Sequence, residues 1–258
     1  MIGTYRWLAQ YYDELFASFR GPMDAARERV LGRILPSVET ACDLACGTGT
    51  TALALVRRGI KMYAVDLSPL MCRLAREKAA RDRLPLHVLR GDMRSFRLPE
   101  AVDLITCEFD ALNHVPRRAD LRMVAKAVAR ALRPGGYFFF DVNNSLGFER
   151  YWTGTVWFET PHVAVVMRNG HNRKADRAWC DVDLFIRDGR CWRRRRERVE
   201  EVCWDSGEIR RVFQESGFEL LRGWDAAPFF KRDNPLIGPG CRTVYLARKK
   251  AACEAAAG

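Results

Sequence analysis

The chain has 258 residues, 48% of them apolar and 29% charged, with a formal net charge of +11. That length suits one full domain plus a modest insert, and no apolar run reaches the ~20 residues that a bilayer-spanning helix needs. The first residues lack a basic segment followed by an apolar stretch, so no secretory signal is evident; a soluble, cytoplasmic chain is expected, with no membrane partner.

From residue 40 to residue 141 short β-branched or apolar runs alternate with helical patterns, which predicts βαβ units and a parallel sheet. The strands fall at 41–44, 62–65, 86–89, 104–107 and 137–140. Helices fit between them at 50–58, 69–81 and 119–132, the last closed by Pro134-Gly135-Gly136. Beyond Asp141 a tryptophan-rich alternation predicts antiparallel strands at 163–168, 178–187 and 190–202. Helical periodicity returns at 208–216, with Ile209, Val212 and Phe213 on one face, Asp205 and Ser206 as candidate caps and Gly217 as the stop. Two last strands, 218–222 and 242–247, complete the sheet, and the Ala-rich tail beyond Lys249 reads as frayed.

The expected class is therefore α/β, with helices on both faces of the sheet. Its organisation is an N-terminal helical segment over residues 1–39, a core over 40–144 and 205–250, and an antiparallel insert over 145–204. Nine cysteines, scattered and odd in number, read as free thiols. Cys42 and Cys46 flank a strand end, one facing the core and the other in a loop, and no metal site is expected. The arginines are spread over the whole length and read as solvated faces, so nucleic acid is not an expected partner.

Gly47-Thr48-Gly49 follows a strand and opens a helix, which lets the backbone approach a ligand closely. With Ala52 the run also fits the GxGxxA form of a nicotinamide dinucleotide site. Asp43 separates the two readings, because a carboxylate there would repel a pyrophosphate but suits a ligand carrying an ammonium group. Asp66 ends the second strand, placed to accept from two ribose hydroxyls. Asp92, with Met93 beside it, follows the third, placed to bind an adenine amino group. Three acids on consecutive strand ends match a nucleoside joined to a cationic amino acid, whereas singly each could merely cap a helix.

The ordered set Asp43-Leu44-Ala45-Cys46-Gly47-Thr48-Gly49, Val65-Asp66-Leu67-Ser68, Gly91-Asp92-Met93 and Leu132-Arg133-Pro134-Gly135-Gly136 resembles that of class I S-adenosylmethionine-dependent methyltransferases. The resemblance covers about residues 40 to 145. It implies a Rossmann-like seven-stranded sheet with its last strand antiparallel, and S-adenosyl-L-methionine as cofactor. The residues expected at the cofactor are Tyr12, Asp43, Ala45, Gly47, Thr48, Gly49, Asp66, Leu67, Met71, Asp92, Met93 and Cys107. The flanking Tyr11-Tyr12-Asp13-Glu14-Leu15-Phe16 and Phe109-Asp110-Ala111-Leu112-Asn113-His114-Val115, together with the insert, are similar to small-molecule enzymes of the amino-sugar and glycine N-methyltransferase kind. There the N-terminal aromatic helix closes over the cofactor and the insert helps cover the substrate, which implies a lid over residues 1–39 and a substrate cover over 145–204.

Methyl transfer from a sulfonium needs an aligned nucleophile, and an amine acceptor must shed its proton first. His114 is the first candidate to take or direct that proton, against the reading that it only holds its loop. Glu108 and Asp110 follow, as groups that attract or orient a cationic acceptor, against the reading of solvated loop acids. Tyr5, Tyr11 and Tyr12 read as lid residues or as the apolar stripe of an amphipathic helix with Leu8, Leu15 and Phe19.

The run Arg193-Arg194-Arg195-Arg196 has a structural account if Asp188-Gly189 makes a two-residue hairpin turn. Pairing would then set Phe185 opposite Trp192, Asp183 opposite Arg194, Asp181 opposite Arg196 and Trp179 opposite Arg198; Arg193 and Arg195 stay unexplained. The expected activity is methyl transfer to a small-molecule acceptor, an amine nitrogen first and a hydroxyl second, by a monomer or homodimer. The alternative is an RNA or protein methyltransferase using the basic surface.

Overall fold

The computed structural model describes residues 5–230 and 238–251. Two short helices, α1 (Tyr12–Leu15) and α2 (Ala17–Leu31), precede the sheet. The alternation that follows is β1 (Thr40–Leu44), α3 (Thr50–Val56), β2 (Lys61–Asp66), α4 (Pro69–Asp82), β3 (Leu86–Arg90), β4 (Val102–Cys107), α5 (Arg118–Ala131) and β5 (Leu132–Asn143). The insert contains α6 (Ser145–Tyr151), β6 (Gly154–Glu159), β7 (Val163–Asn172), β8 (Arg177–Asp188) and β9 (Cys191–Val202). The chain returns through α7 (Ser206–Glu215), β10 (Phe218–Asp225) and β11 (Arg242–Lys249).

The main sheet has seven strands in the order β10-β11-β5-β4-β1-β2-β3. β1 pairs in parallel with both β2 and β4, so the strand order reverses beside it. That reversal opens a crevice at the carboxyl ends of the strands, where open α/β sheets bind ligands. β11 runs antiparallel to both β5 and β10, as the motif set implied. β1 is buried along its whole length because both faces are covered by helices. On one face Phe138 and Phe140 stack with ring centroids 4.7 Å apart, and Phe140 lies 4.9 Å from Phe213 of α7. Asp205 caps α7 as expected, accepting from the amides of Gly207 at 2.7 Å and Glu208 at 3.3 Å.

A separate antiparallel sheet, β6-β7-β8-β9, forms the insert. Its first strand and α6 went unread in the sequence. The seven residues of α6 include a glycine, and β6 alternates only between exposed and half-buried positions. As expected, Cys42 lies in β1 and Cys46 in the loop after it, and both are buried. The eight described cysteines are free. The Ala-rich tail beyond Ala251 lies outside the described residues.

The β8–β9 hairpin forms, but its turn is Gly189-Arg190, with Asp188 opposite Cys191. Gly189 takes φ +61, the left-handed first position that a two-residue turn of this kind demands. Moving the turn by one residue moves the pairing by two, so each side chain keeps its face. Phe185 therefore sits opposite Arg194, Asp183 opposite Arg196, Asp181 opposite Arg198 and Trp179 opposite Glu200. Asp183 accepts from Arg194 at 2.8 Å and Arg196 at 3.0 Å, with Arg168 of β7 as a third partner. Arg195 lies 4.7 Å over the Trp7 ring, and Arg193 pairs with Asp188.

Arg194 foremost, aided by Arg196 and Arg168 and opposed by burial, holds the Asp183 carboxyl well below the usual carboxylate range. Asp183→Asn is expected to lower stability by about 2 kcal/mol near neutral pH, because charge-assisted bonds are lost and three guanidiniums face one another. A depressed carboxyl contributes fully above its unfolded value of about 4 and loses that contribution as pH falls below it. Denaturant midpoints of wild type and variant should therefore converge below about pH 4. Equal midpoints at pH 7 would contradict the account.

Candidate active site

The loop after β1 carries left-handed backbone at Ala45 (φ +58), Gly47 (φ +54) and Gly49 (φ +79). Gly49 is required twice over, since a Cβ there would also lie 2.9 Å from the Cβ of Ala75 on α4. Asp43 is buried beside this loop and accepts from the Thr106 hydroxyl at 2.8 Å. Burial pushes its carboxyl up to about 6, against Thr106, the Arg27 charge and the Ala52 amide, all of which favour the ionised form.

Asp66 joins the first two strand ends, accepting from the amides of Gly47 at 2.9 Å and Ser68 at 2.8 Å. Leu67 beside it remains 43% exposed, an apolar surface at the place where a purine would need cover. Asp92 is engaged by Arg94, whose backbone amide at 2.9 Å and Nε at 3.0 Å both donate to it. Met93 is half-buried against the main core, while Met71 and Cys107 are buried. Burial pushes the Cys107 thiol far up, so it is a neutral wall group. Three acceptor carboxylates, the close-approach loop and an apolar flank fit a phosphate-free nucleoside with a cationic amino-acid tail.

Thr48 is drawn away from any ligand, since its hydroxyl donates to Asp13 at 2.6 Å. Lys78 of α4 bonds Asp13 and donates to Thr48 at 2.9 Å, so α1 is latched onto the glycine loop. Burial raises the Asp13 carboxyl, but its bonds to Lys78, Thr48 and Arg20 outweigh that and hold it below the usual range. The neighbouring Tyr12 turns the other way, into a cavity of about 140 Å³.

That cavity lies between the N-terminal segment, the loop after β4 and the inner face of the insert. Tyr5, Phe16, Phe109, Trp152, Phe158 and Met167 give it an apolar wall, whereas Asp110, Asn143, Glu201 and Arg242 give it a polar one. Phe109 and Asp110 are both left-handed, at φ +60 and +51, a strained pair for residues with side chains. Asp141 restrains them by accepting the Asp110 amide at 3.0 Å and that of Phe109 as well. Asp110 in turn accepts from Asn143 at 2.6 Å and Arg242 at 3.1 Å.

The three sequence candidates for catalysis separate here. Asp110 reaches the cavity. Glu108 points the opposite way along the extended chain, and both its oxygens accept from one nitrogen, Nη1, of Arg27 of α2, at 2.9 and 3.0 Å. Burial pushes its carboxyl up to about 8, with Arg27 pulling down. His114 sits behind the cavity wall, its Nε2 3.2 Å from the Tyr5 hydroxyl and its Nδ1 3.3 Å from the Glu200 carbonyl. Burial lowers the pKa of its imidazole, against the Asp110 charge.

Residues 41–136 match the methyltransferase domain family. Over 220 residues, 84% of this chain and 87% of the relative, the sequence is 26% identical to YqeM of Bacillus subtilis (strain 168). The chain is an S-adenosylmethionine-dependent methyltransferase with the class I fold. Over 102 residues, covering 40% of this chain and 39% of the relative, the enzyme is 34% identical to the dTDP-4-amino-2,3,4,6-tetradeoxy-D-glucose N,N-dimethyltransferase of Saccharopolyspora spinosa. Its fold matches a solved S-adenosylmethionine-dependent methyltransferase from Clostridium acetobutylicum ATCC 824. That match has a TM-score of 0.76 at 24% identity, across 96% of this chain and 99% of that one. The sugar N-methyltransferase KedS8 from Streptoalloteichus sp ATCC 53650 superposes with a TM-score of 0.74 at 21% identity, covering 93% and 92%.

Sequence reasoning missed four residues of this methyltransferase's cavity and latch: Asp13, Asn143, Glu201 and Arg242. Asp13 lay inside a motif already singled out, so its proximity to the loop was readable but its partner was not. Glu201 shares a strand face with Glu197 and Val199, a pattern that the adjacent arginines obscured. Arg242 and Asn143 come together only because β11 lies against β5. Among the described residues no helix is long and apolar enough to cross a membrane.

Proposed function

We propose that the methyltransferase acts on the amine nitrogen of a small molecule held in the cavity between the N-terminal segment and the insert. The observation that carries this reading is the polar wall, where Asp110, Asp141 and Glu201 gather around one guanidinium, Arg242. Such an excess of buried carboxyls suits a cationic acceptor better than a neutral hydroxyl or an anion. The aromatic wall opposite suits an apolar body. When bound, S-adenosylmethionine supplies an activated methyl group. In this reading Asp43, Gly47, Gly49, Asp66 and Asp92 hold it, with Leu67 and Met93 flanking its purine, and Tyr12 stands between it and the acceptor. Asp110 and the aromatic residues then orient the amine, and the N-terminal segment excludes water.

Incubation with S-adenosylmethionine and matched pairs, benzylamine against benzyl alcohol and cyclohexylamine against cyclohexanol, tests the acceptor by mass gain. Methylation is expected on the amines. Transfer to the alcohols alone would overturn the amine reading.

His114 acts in this reading by positioning Tyr5 at the cavity wall. His114→Ala is expected to lower turnover roughly tenfold, about 1.4 kcal/mol in the barrier, with affinity for S-adenosylmethionine unchanged. Unchanged turnover on the methylated amine would remove His114 from the mechanism.

A further inference from the structure

Glu201 stands on the cavity-facing side of β9 with only 3% of its surface exposed. Its one hydrogen bond to a side-chain amide, from Asn143, is long at 3.5 Å, because Asn143 gives its closer contact to Asp110. Arg242 is divided between Asp110 and Asp141, at 3.1 Å from each, and also donates to Asn143 at 3.0 Å. The cluster is imperfectly paired, since the buried Oδ1 of Asp141 and Nη1 of Arg242 both lack a hydrogen-bond partner. Asp110 is thus a committed carboxylate. Glu201 lies against the Asp110 carboxyl, takes only the long bond from the Asn143 amide, and lines the cavity.

We propose that Glu201 is the proton acceptor that converts the acceptor's ammonium group to the free amine. This rests on the amine reading above. The charged and titratable groups facing it are Asp110 from the loop after β4, Arg242 from β11, Tyr5 from the N-terminal segment and Cys180 from β8. Burial foremost, and then the Asp110 charge, push the Glu201 carboxyl up, so it binds a proton more tightly than an ordinary glutamate. In the step itself an ammonium N–H bond breaks, the proton passes to a Glu201 carboxylate oxygen and the electron pair stays on nitrogen. That nitrogen bonds the methyl carbon as the carbon–sulfur bond breaks, and its electron pair remains on sulfur. The product leaves as the methylated ammonium, and Glu201 returns its proton to solvent.

The test compares the pH dependence of turnover for benzylamine and the more basic cyclohexylamine, both of which are ammonium ions near neutral pH. With Glu201 as the proton acceptor, the rising limb belongs to the protein and falls at the same pH for both amines in the wild type. In Glu201→Gln the limb is expected to move with the basicity of the amine, and kcat on benzylamine at pH 7 to drop about 100-fold. Calorimetric affinity for S-adenosylmethionine should stay unchanged. Glu201→Asp keeps a carboxylate and should retain a shared limb at lower kcat, which preserves the test should the Gln variant fail to fold. A wild-type limb that follows the amine, or a folded Gln variant with wild-type rate and profile, would overturn the role of Glu201. Failure of every amine in the wild type would instead overturn the amine reading.

Discussion

Asp43→Asn is expected to weaken binding of S-adenosylmethionine by about 100-fold, roughly 2.7 kcal/mol, while leaving the thermal midpoint little changed. The side chain is isosteric, so the contact with the Thr106 hydroxyl can persist while the charge is lost. The same carboxyl makes wild-type binding pH-dependent. Burial has already raised it to about 6 in the free protein, so it is mostly ionised at pH 7.5 and mostly protonated at pH 5. A cationic ligand beside it favours the ionised form, and binding below about pH 6 must expel a proton. Affinity should therefore fall as pH drops through 6, approaching tenfold per unit, and Asp43→Asn should abolish that slope. Calorimetry at pH 5 and pH 7.5 in buffers of different ionisation enthalpy reads both effects. A pH-independent affinity would mean that Asp43 serves only to seat the start of α3.

Arg27→Met is expected to cost about 3–5 kcal/mol of stability, because it strands Glu108 in the interior. The two side chains are 4% and 2% exposed, and their bonds tie α2 to the end of β4. In the variant Glu108 loses the guanidinium that pairs with it, so its carboxyl rises further above an unfolded value of about 4.3. A carboxyl raised in the folded state leaves stability intact at pH values below the unfolded value and erodes it as pH climbs towards the folded one. The loss should accordingly be larger at pH 8 than at pH 5 in urea titrations. Arg27→Met combined with Glu108→Leu should recover much of it, since an apolar pair needs no charge compensation. If the double variant folds but binds no S-adenosylmethionine, the pair does more than fasten the N-terminal helices.

Much of the fold was legible because it is written in short-range patterns. The five parallel strands and their acids follow from alternation and turn residues, and Asp205 and Gly217 bracket α7 where a cap and a stop belong. The hairpin was legible to within one turn residue. Asp188-Gly189 and Gly189-Arg190 both suit a tight turn, and both keep Asp183 on the arginine face, so the face pattern alone could not choose between them. The polar wall of the cavity was not legible. Asp110 comes from the loop after β4, Arg242 from β11 and Glu201 from the insert, and only the packing of β11 on β5 brings them together. Glu108 misled for a related reason, since its partner Arg27 lies 81 residues earlier. The glycine loop was different: Asp43, Gly47 and Gly49 lie within seven residues, and the chemistry proposed for them could be read locally.

In the proposed reading the Asp43–Gly49 loop and the acids beside it hold the methyl donor. Calorimetric titration of the purified protein with S-adenosylmethionine and with its demethylated product tests this most directly. One saturable site is expected for each ligand, weakened in parallel by Asp43→Asn and Asp66→Ala. Absence of binding by both ligands, or affinity indifferent to both substitutions, would contradict it.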